Sequence, residues 1–415
     1  MPAIDRSASA GTAQADQNLR VTSSGAPDAP DAPEVSIVIP CLNESDTIEI
    51  VIREARAALE KSGIAGEILV ADNGSTDGSR ELARAAGARV VPVASRGYGA
   101  ALMGGIRDAR GRYVIMGDAD ASYDFAAIPD FVAKLRAGNA LVMGCRLPSG
   151  GGRVMPGAMP ALHRWWGNPM FSWMVRQWFR APIHDVHCGL RGFTKELYDR
   201  LDLQCTGMEF ASEMVIKTAL AAVPMSEVPI TLRPDQRKKG RAHLRTFRDG
   251  WRHLRFYLVY SPRWLYLLPG ALLLLLGVVG YGLAIPGTRV RGAQLDVNAL
   301  LYSSLFVILG YQSILFAILT KAFAVAQGLM PSTPPVERFF KVMNLERGLV
   351  VGAAITVVGL ALLGIVFVRW WGADFGPLDY RATLRLSIPG VMFTGLGVQT
   401  VLSSFFASIL GLRRR

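Results

Sequence analysis

Four long apolar runs close the chain, at roughly 264–284, 299–327, 349–371 and 386–412, each long enough to cross a bilayer. Backbone immersed in hydrocarbon must satisfy its own hydrogen bonds, so these runs read as four transmembrane helices. The 415 residues leave ample chain ahead of them for a soluble domain, and 51% hydrophobic against 19% charged residues fits that division. The net charge is +12, with cations clustered at 233–263 and at the C-terminus. Basic clusters beside apolar runs point to anionic lipid or phosphate and away from a nucleic-acid partner.

Cation placement also orients the spans. The loop between the second and third carries Arg338, Lys341 and Arg347, and the tail is Arg413, Arg414, Arg415. The other loops carry fewer, Arg289 and Arg291 in one and Arg381 and Arg385 in the other. The positive-inside rule therefore predicts both termini and the soluble domain in the cytoplasm, which an even number of spans allows.

Residues 1–33, rich in Ala, Ser, Asp, Gly and Pro, lack an apolar core and read as a disordered arm, with no signal peptide. From Glu34 strands and helices alternate. Strands are predicted at 35–39, 68–71, 89–93, 113–116, 140–144 and 228–232, and helices at 45–59, 97–109 and 208–222. Asn73-Gly74 marks a turn, and Ser75 or Thr76 is the expected cap of the next helix. The pattern implies a mostly parallel, doubly wound α/β sheet. Gly97 and Gly99 lack the third glycine of a dinucleotide loop and are explained by close packing of the helix they open.

The buried strand 113–116 empties into Asp118-Ala119-Asp120. Two carboxylates at a strand mouth are costly unless a positive group lies between them. A divalent cation carrying a diphosphate fits the charge and the place, since ligands of open α/β sheets gather at the carboxyl ends of strands. Two stretches point to the membrane surface. Residues 155–182 crowd Trp165, Trp166, Phe171, Trp173, Trp178 and Phe179 among His163, Arg164, Arg176 and Arg180, which suits a helix in the headgroup layer. Residues 233–255 are dense in arginine and lysine, and Phe247, Trp251, Leu254 and Leu258 recur at helical spacing toward the first span. Between them, His184, Asp185, His187 and Cys188 suggest a metal set, but period-two alternation along a strand would divide them between faces and disfavours zinc. Cys41, Cys145, Cys188 and Cys205 show no C-x-x-C spacing and read as reduced thiols.

The ordered blocks SIVIPCLNE, ILVADNGSTDGS, RGYGAAL, GDADAS, HCGLRGF, MEFASEM and EVPITLRPDQRKKGRAH resemble family-2 glycosyltransferases of the polyprenyl-phosphate type, relatives of dolichol-phosphate mannose and glucose synthases. The resemblance runs from about residue 34 to 260. It implies a GT-A catalytic domain at 34–245, a juxtamembrane amphipathic helix at 246–263, a transmembrane domain at 264–412 and a basic tail at 413–415. By motif match, Pro40, Asn43, Glu44 and Asp72 would line the nucleotide-sugar pocket, with Asp72 at the base, Asp118 on the diphosphate and Arg146 near the donor phosphates. Asp118 and Asp120, with Ser122 where relatives often carry Gln, would hold Mg²⁺ or Mn²⁺. Arg237 matches the arginine of an R-x-x-G-x-S-K-like element that grips the acceptor phosphate. Ala242 and His243 replace its serine and lysine, so Arg241 or Arg245 would supply the missing charge.

The activity implied is transfer of one hexose, from UDP-glucose or GDP-mannose, to polyprenyl or dolichyl phosphate with inversion, catalysed by Asp118, Asp120 and Arg237. A homo-oligomer is left open. Two alternatives remain at this level. A processive polysaccharide synthase would carry Q-x-x-R-W, but Gln177-Trp178-Phe179-Arg180 is followed by Ala181. A non-catalytic, nucleotide-binding component of a lipid-sugar flippase would not need the intact Asp72, Asp118 and Asp120.

Overall fold

The structure is a computed structural model that describes residues 32–237, 246–290, 292–327, 330 and 344–412. Residues 1–31 of the expected arm, Arg241, His243 and Arg245 of the expected acceptor site, Ala242, Lys238, Lys239, Arg291, Arg338, Lys341 and Arg413 to Arg415 lie outside the described residues.

Along the chain come β1 (Val35–Cys41), α1 (Ile48–Ser62), β2 (Gly66–Asp72), α2 (Ser79–Ala85), β3 (Arg89–Pro92), α3 (Tyr98–Asp108) and β4 (Tyr113–Met116). Then follow α4 (Ile128–Arg136), β5 (Leu141–Cys145), β6 (Arg153–Val154), α5 (Asn168–Phe179), β7 (Arg191–Thr194), α6 (Lys195–Leu201), α7 (Phe210–Leu220), β8 (Met225–Pro229) and β9 (Thr231–Leu232). Among the described residues seven strands form one sheet, in the order β3-β2-β1-β4-β7-β5-β8. β7 runs antiparallel between β4 and β5, and the other pairings are parallel. This is the mostly parallel α/β fold of a GT-A domain.

The strands are apolar on both faces because helices cover both. All four residues of β4 are buried. α1 turns Ile48, Val51, Ile52, Ala55, Ala58 and Leu59 to the core at helical spacing and ends on Gly63 at φ 62°, a left-handed stop. From β1 the chain winds outward through β2 and β3, then returns to place β4 on the other side of β1. That reversal opens a crevice at the carboxyl ends of β1 and β4, where Asn43 and Asp118 emerge.

Several local expectations are corrected. The helix after Asn73-Gly74 begins at Ser79 behind Gly78 (φ 91°), not behind Ser75 or Thr76, because those residues turn back onto Asp72 and Asn43. Residues 184–190 do not form a strand. Glu227 accepts from the backbone N–H groups of His184 and Asp185, which draws the segment out of any pleat, and strand pairing starts only at Arg191. The predicted strand 228–232 is two short strands, β8 in the main sheet and β9 paired to β6. The helix α4 has no counterpart among the predicted elements.

α8 (Thr246–Val259) leads to a π-helical turn at Arg263–Leu267 and into α9 (Leu268–Ala284). A two-strand hairpin, β10 (Arg289–Val290) and β11 (Ala293–Gln294), precedes α10 (Val297–Ala326). α11 (Leu345–Gly372) and α12 (Tyr380–Leu412) follow. Among the described residues four apolar stretches are long enough to span a membrane, Arg263–Ala284, Val297–Ala326, Leu345–Gly372 and Tyr380–Leu410, with mean hydropathy from 1.5 to 2.7. They pair as two hairpins through small residues. A Cβ on Gly310 of α10 would lie 2.5 Å from the Leu274 nitrogen of α9, and one on Gly359 of α11 2.4 Å from the Thr394 nitrogen of α12. α10 and α12 join the hairpins through Val307, Met392 and Leu396 and a 2.5 Å hydrogen bond between Tyr311 and Thr400. Asp296 pairs with both Arg381 and Arg385.

Candidate functional site

The crevice is built from loops that fasten one another. Asp72, at the end of β2, accepts from the backbone N–H groups of Gly74 (3.1 Å) and Ser75 (3.1 Å) and from Arg80 Nε (2.6 Å). Burial works against its charge, yet these donors hold the carboxyl below the usual carboxylate range. Asn43, in left-handed conformation at φ 58°, donates its N–H to Ser75 Oγ and accepts at Oδ1 from the Thr76 N–H. Asn73 ties the same loop to Val93, Ser95 and Gly97. Asp72 and Asn43 thus shape the wall of the crevice with their polar groups already engaged. Pro40 lies within β1, immediately behind them.

Gly97 and Gly99 serve packing, as the sequence suggests, against a neighbour it does not reveal. A Cβ on Gly97 would meet the Thr206 carbonyl at 2.3 Å, and one on Gly99 the Cys205 carbonyl at 2.4 Å. Buried Glu213 holds that loop by accepting from the backbone N–H groups of Gln204 and Cys205. The gain is Tyr98, whose hydroxyl donates to Asp118 Oδ1 at 2.9 Å.

Burial, and then the neighbouring charge of Asp120, push the Asp118 carboxyl well above the usual carboxylate range, against the Tyr98 bond and the fields of Arg146 and Arg237. Asp120 accepts at Oδ1 from the Ser122 N–H at 3.0 Å. Ser122 is buried beside it. Arg237 Nη2 lies 3.5 Å from Asp120 Oδ2, Nε 2.8 Å from Glu44 Oε2 and Nη1 3.5 Å from Asp235 Oδ2. Burial pushes Glu44 up to about 7, with Arg237 pulling the other way. The structure therefore brings Glu44, Asp118, Asp120, Ser122 and Arg237 together. A guanidinium lies on the acids for which the sequence implies a cation, so this donor set accepts positive charge. Among the described residues no cluster of three or more His, Cys, Asp or Glu is placed to hold a metal alone. Two carboxylates and a hydroxyl leave a hard cation short of its usual six oxygens, and diphosphate oxygens would have to complete the shell.

Arg146 has a partner that the sequence does not announce. It is buried, and its Nε and Nη2 form a forked pair with the two Asp185 oxygens at 2.7 and 2.8 Å, while its backbone N–H donates to Asp185 Oδ2. It acts on Asp118 through its field, with two guanidinium nitrogens committed elsewhere. Sequence reasoning overlooks Arg191, which is wholly buried and donates to the carbonyls of Ala211 (2.7 Å) and Cys188 (2.5 Å). An arginine inside the apolar-flanked HCGLRGF block is the available signal.

The two aromatic stretches adjoin the start of the first apolar span. α5 buries Phe171, Met174, Val175 and Phe179 in the core, while Trp165, Trp166 and Trp173 are exposed, Trp166 by 73%. α8 presents part of the expected apolar stripe outward, as a helix at a membrane surface would, with Phe247 87% and Trp251 59% exposed, while Leu254 packs against the core. Asp249, His253 and Tyr257 pack inward. The inward face is wired to the domain. Ser212 Oγ bonds His253 Nδ1 (2.9 Å) and the Tyr257 hydroxyl (3.3 Å), Tyr257 reaches His187 Nε2 (3.2 Å), and His187 Nδ1 meets Asn168 Oδ1 (3.2 Å). Trp178 stacks on Trp264 at the start of the first span, centroids 5.3 Å apart.

Residues 36–202 match the family model for glycosyl transferase family 2, and residues 318–411 match that for the glycosyltransferase family 2 C-terminal transmembrane region. The low-salt glycan biosynthesis hexosyltransferase Agl6 of Haloferax volcanii is 37% identical over 382 residues, 92% of this chain and 90% of that protein. The dolichyl-phosphate hexose transferase of the same organism is 28% identical over 218 residues, 52% of this chain and 89% of that protein. Among solved structures, glucosyl-3-phosphoglycerate synthase of Mycobacterium tuberculosis in complex with Mn²⁺, UDP and phosphoglyceric acid aligns with a TM-score of 0.42 at 22% identity, covering 55% of this chain and 77% of that one.

Proposed function

Since this chain belongs to glycosyltransferase family 2 and is an integral membrane protein carrying that family's C-terminal transmembrane region, we propose that it transfers one hexose from a nucleotide sugar to a polyprenyl phosphate at the cytoplasmic membrane surface. The observation that carries this reading is the 3.5 Å approach of Arg237 to Asp120, which puts the group meant for one polyanion beside the group meant for another. A relative named as a dolichyl-phosphate hexose transferase supports the lipid acceptor. UDP-glucose and GDP-mannose are the donors to test first.

The acceptor is a phosphate monoester, anionic at neutral pH, so its oxygen attacks without a general base. That oxygen forms the new bond to the anomeric carbon, and the bond from that carbon to the donor diphosphate breaks, with the electron pair leaving on the nucleoside diphosphate. In-line displacement inverts an α-linked donor to a β-linked product. Asp118 and Asp120, assisted by Ser122, would hold a Mg²⁺ or Mn²⁺ ion, which when bound offsets the charge of the leaving diphosphate. Tyr98 fixes the Asp118 carboxylate. Arg237 offsets the acceptor phosphate, and the Asp72–Ser75 and Asn43–Thr76 bonds keep the donor crevice preformed. The outward Trp165, Trp166, Phe247 and Trp251 suit the headgroup layer, where a polyprenyl phosphate presents its anion.

The test is a donor screen with detergent-extracted protein and a polyprenyl phosphate, reading lipid-linked radiolabel. One sugar per lipid is expected from one nucleotide sugar. A long product chain, or no release of nucleoside diphosphate from any donor, would remove the proposal.

A further inference from the structure

The segment that carries Arg237 is stitched to the loop that carries the acid pair. Tyr123 bridges Leu232, the Arg233 N–H donates to the Ser122 carbonyl at 2.8 Å, and the Gln236 N–H donates to the Asp120 carbonyl at 3.2 Å. Arg237 is thereby delivered to Asp120 by its own backbone. Glu44 grips it from the other wall at 2.8 Å, and Asp235 flanks it at 3.5 Å, leaving the guanidinium side chain 15% exposed. An arginine suited to an incoming phosphate therefore spends the unloaded state among three carboxylates. One of those three is a carboxylate that a divalent cation needs. Guanidinium and metal cannot share Asp120 cheaply, since like charges a few ångströms apart in a partly dehydrated site repel strongly.

We propose that Arg237 is a stand-in cation, held on Asp120 by Glu44 until a divalent cation takes Asp120 and frees the guanidinium for the acceptor phosphate. Glu44 is then a positioning residue, acting through Arg237. The proposal rests on the cation-site reading of Asp118 and Asp120. It gives the reaction an order, in which cation and donor enter first and the acceptor phosphate finds its arginine only afterward. Such an order keeps the donor-free enzyme from trapping polyprenyl phosphate. Because coupling between sites is reciprocal, bound acceptor phosphate tightens the cation in turn.

The test is a Mn²⁺ titration of the detergent-solubilised full chain, read by loss of the free-ion paramagnetic resonance signal, without nucleotide and, in parallel, with UDP or GDP at no more than the protein concentration, each read against a protein-free titration of the same nucleotide. Arg237→Gln, which removes the competing charge, is expected to bind Mn²⁺ roughly 5- to 10-fold more tightly than the wild type. Arg237→Lys, which keeps a charge, is expected to stay within about twofold of the wild type, a sorting by charge that a merely structural role would not give. Asp120→Asn is expected to lose Mn²⁺ binding in both backgrounds. Unchanged or weaker Mn²⁺ binding by Arg237→Gln overturns the stand-in role alone. Undiminished binding by Asp120→Asn overturns the cation site beneath it.

Discussion

Asp118 and Asp120 are two residues apart and receive opposite treatment. Asp118 is enclosed and bonded to Tyr98, while Asp120 faces the crevice with a backbone donor on its side chain and Arg237 3.5 Å away. Replacing Asp120 should therefore cost chemistry and little stability. Asp120→Asn is expected to lower transfer by about 10³-fold or more with an unchanged thermal midpoint, checked by radiolabel transfer and a melting curve on one preparation. Arg237→Ala should raise the acceptor KM roughly 10- to 100-fold and leave the donor KM nearly unchanged, since a charge-assisted contact to phosphate is what is lost. A rise confined to the donor KM would reassign the residue. Asp185 is the converse case. Its forked pair with Arg146 is buried on both sides, so Asp185→Ala strands a guanidinium in the core and should cost about 3–5 kcal/mol in denaturant unfolding.

At the scale of elements, the sequence disclosed whatever repeats with a period. The strands at 35–41, 66–72 and 113–116 and the four spans stand out because apolar runs of four to eight residues fit buried strands and runs of twenty fit membrane helices. It concealed what depends on partners distant in sequence. β7 inserts antiparallel between β4 and β5, and Glu227 holds His184 and Asp185 about forty residues away, long-range contacts that no local pattern announces. The candidate site was legible in part for the same reason. The acids stand where β4 ends, but Arg146 turns to Asp185 and Asp72 to its own loop, and both choices depend on the tertiary fold. α8 was legible on one face only. Phe247 and Trp251 read from sequence as a membrane-surface stripe and do look outward, but no local pattern shows that His253 and Tyr257 face inward onto Ser212 and His187. Burial, and then the charge of its neighbour His253, hold His187 well below the ordinary 6.5, and burial lowers His253 as well, although Glu209 and Asp249 oppose that shift. Groups held neutral in the fold and protonated when unfolded contribute stability that is complete above about pH 6.5 and lost as pH falls below it. The unfolding free energy should drop on acidification through that range, and His253→Asn should flatten the dependence in urea melts. Outward Trp166 makes a separate prediction. An environment-sensitive fluorophore on Trp166→Cys should shift to the blue in proteoliposomes, and the same probe on Arg84→Cys, on the exposed side of α2, should not.

Over the whole molecule, the two hairpins and the catalytic unit make a single topological claim that can be checked directly. Four spans return the chain to the side from which it entered, so α8 and the end of α12 share a face of the membrane, and the turn between α11 and α12 lies opposite. The proposed function puts the catalytic face in the cytoplasm, the side that the positive-inside rule predicts. The native thiols favour a labelling test. Cys41, Cys145 and Cys188 are buried, and burial pushes the partly enclosed Cys205 up to about 12, so none presents a thiolate to a maleimide at neutral pH. Lys61→Cys on the last turn of α1 and Ala373→Cys at the end of α11 are both exposed sites that touch neither the crevice nor a helix seam. With a membrane-impermeant maleimide, right-side-out vesicles should label position 373 and spare position 61, and inverted vesicles should do the reverse. The opposite pattern would place Asp118, Asp120 and Arg237 outside the cell, away from any supply of nucleotide sugar, and a transferase reading of the crevice would no longer stand.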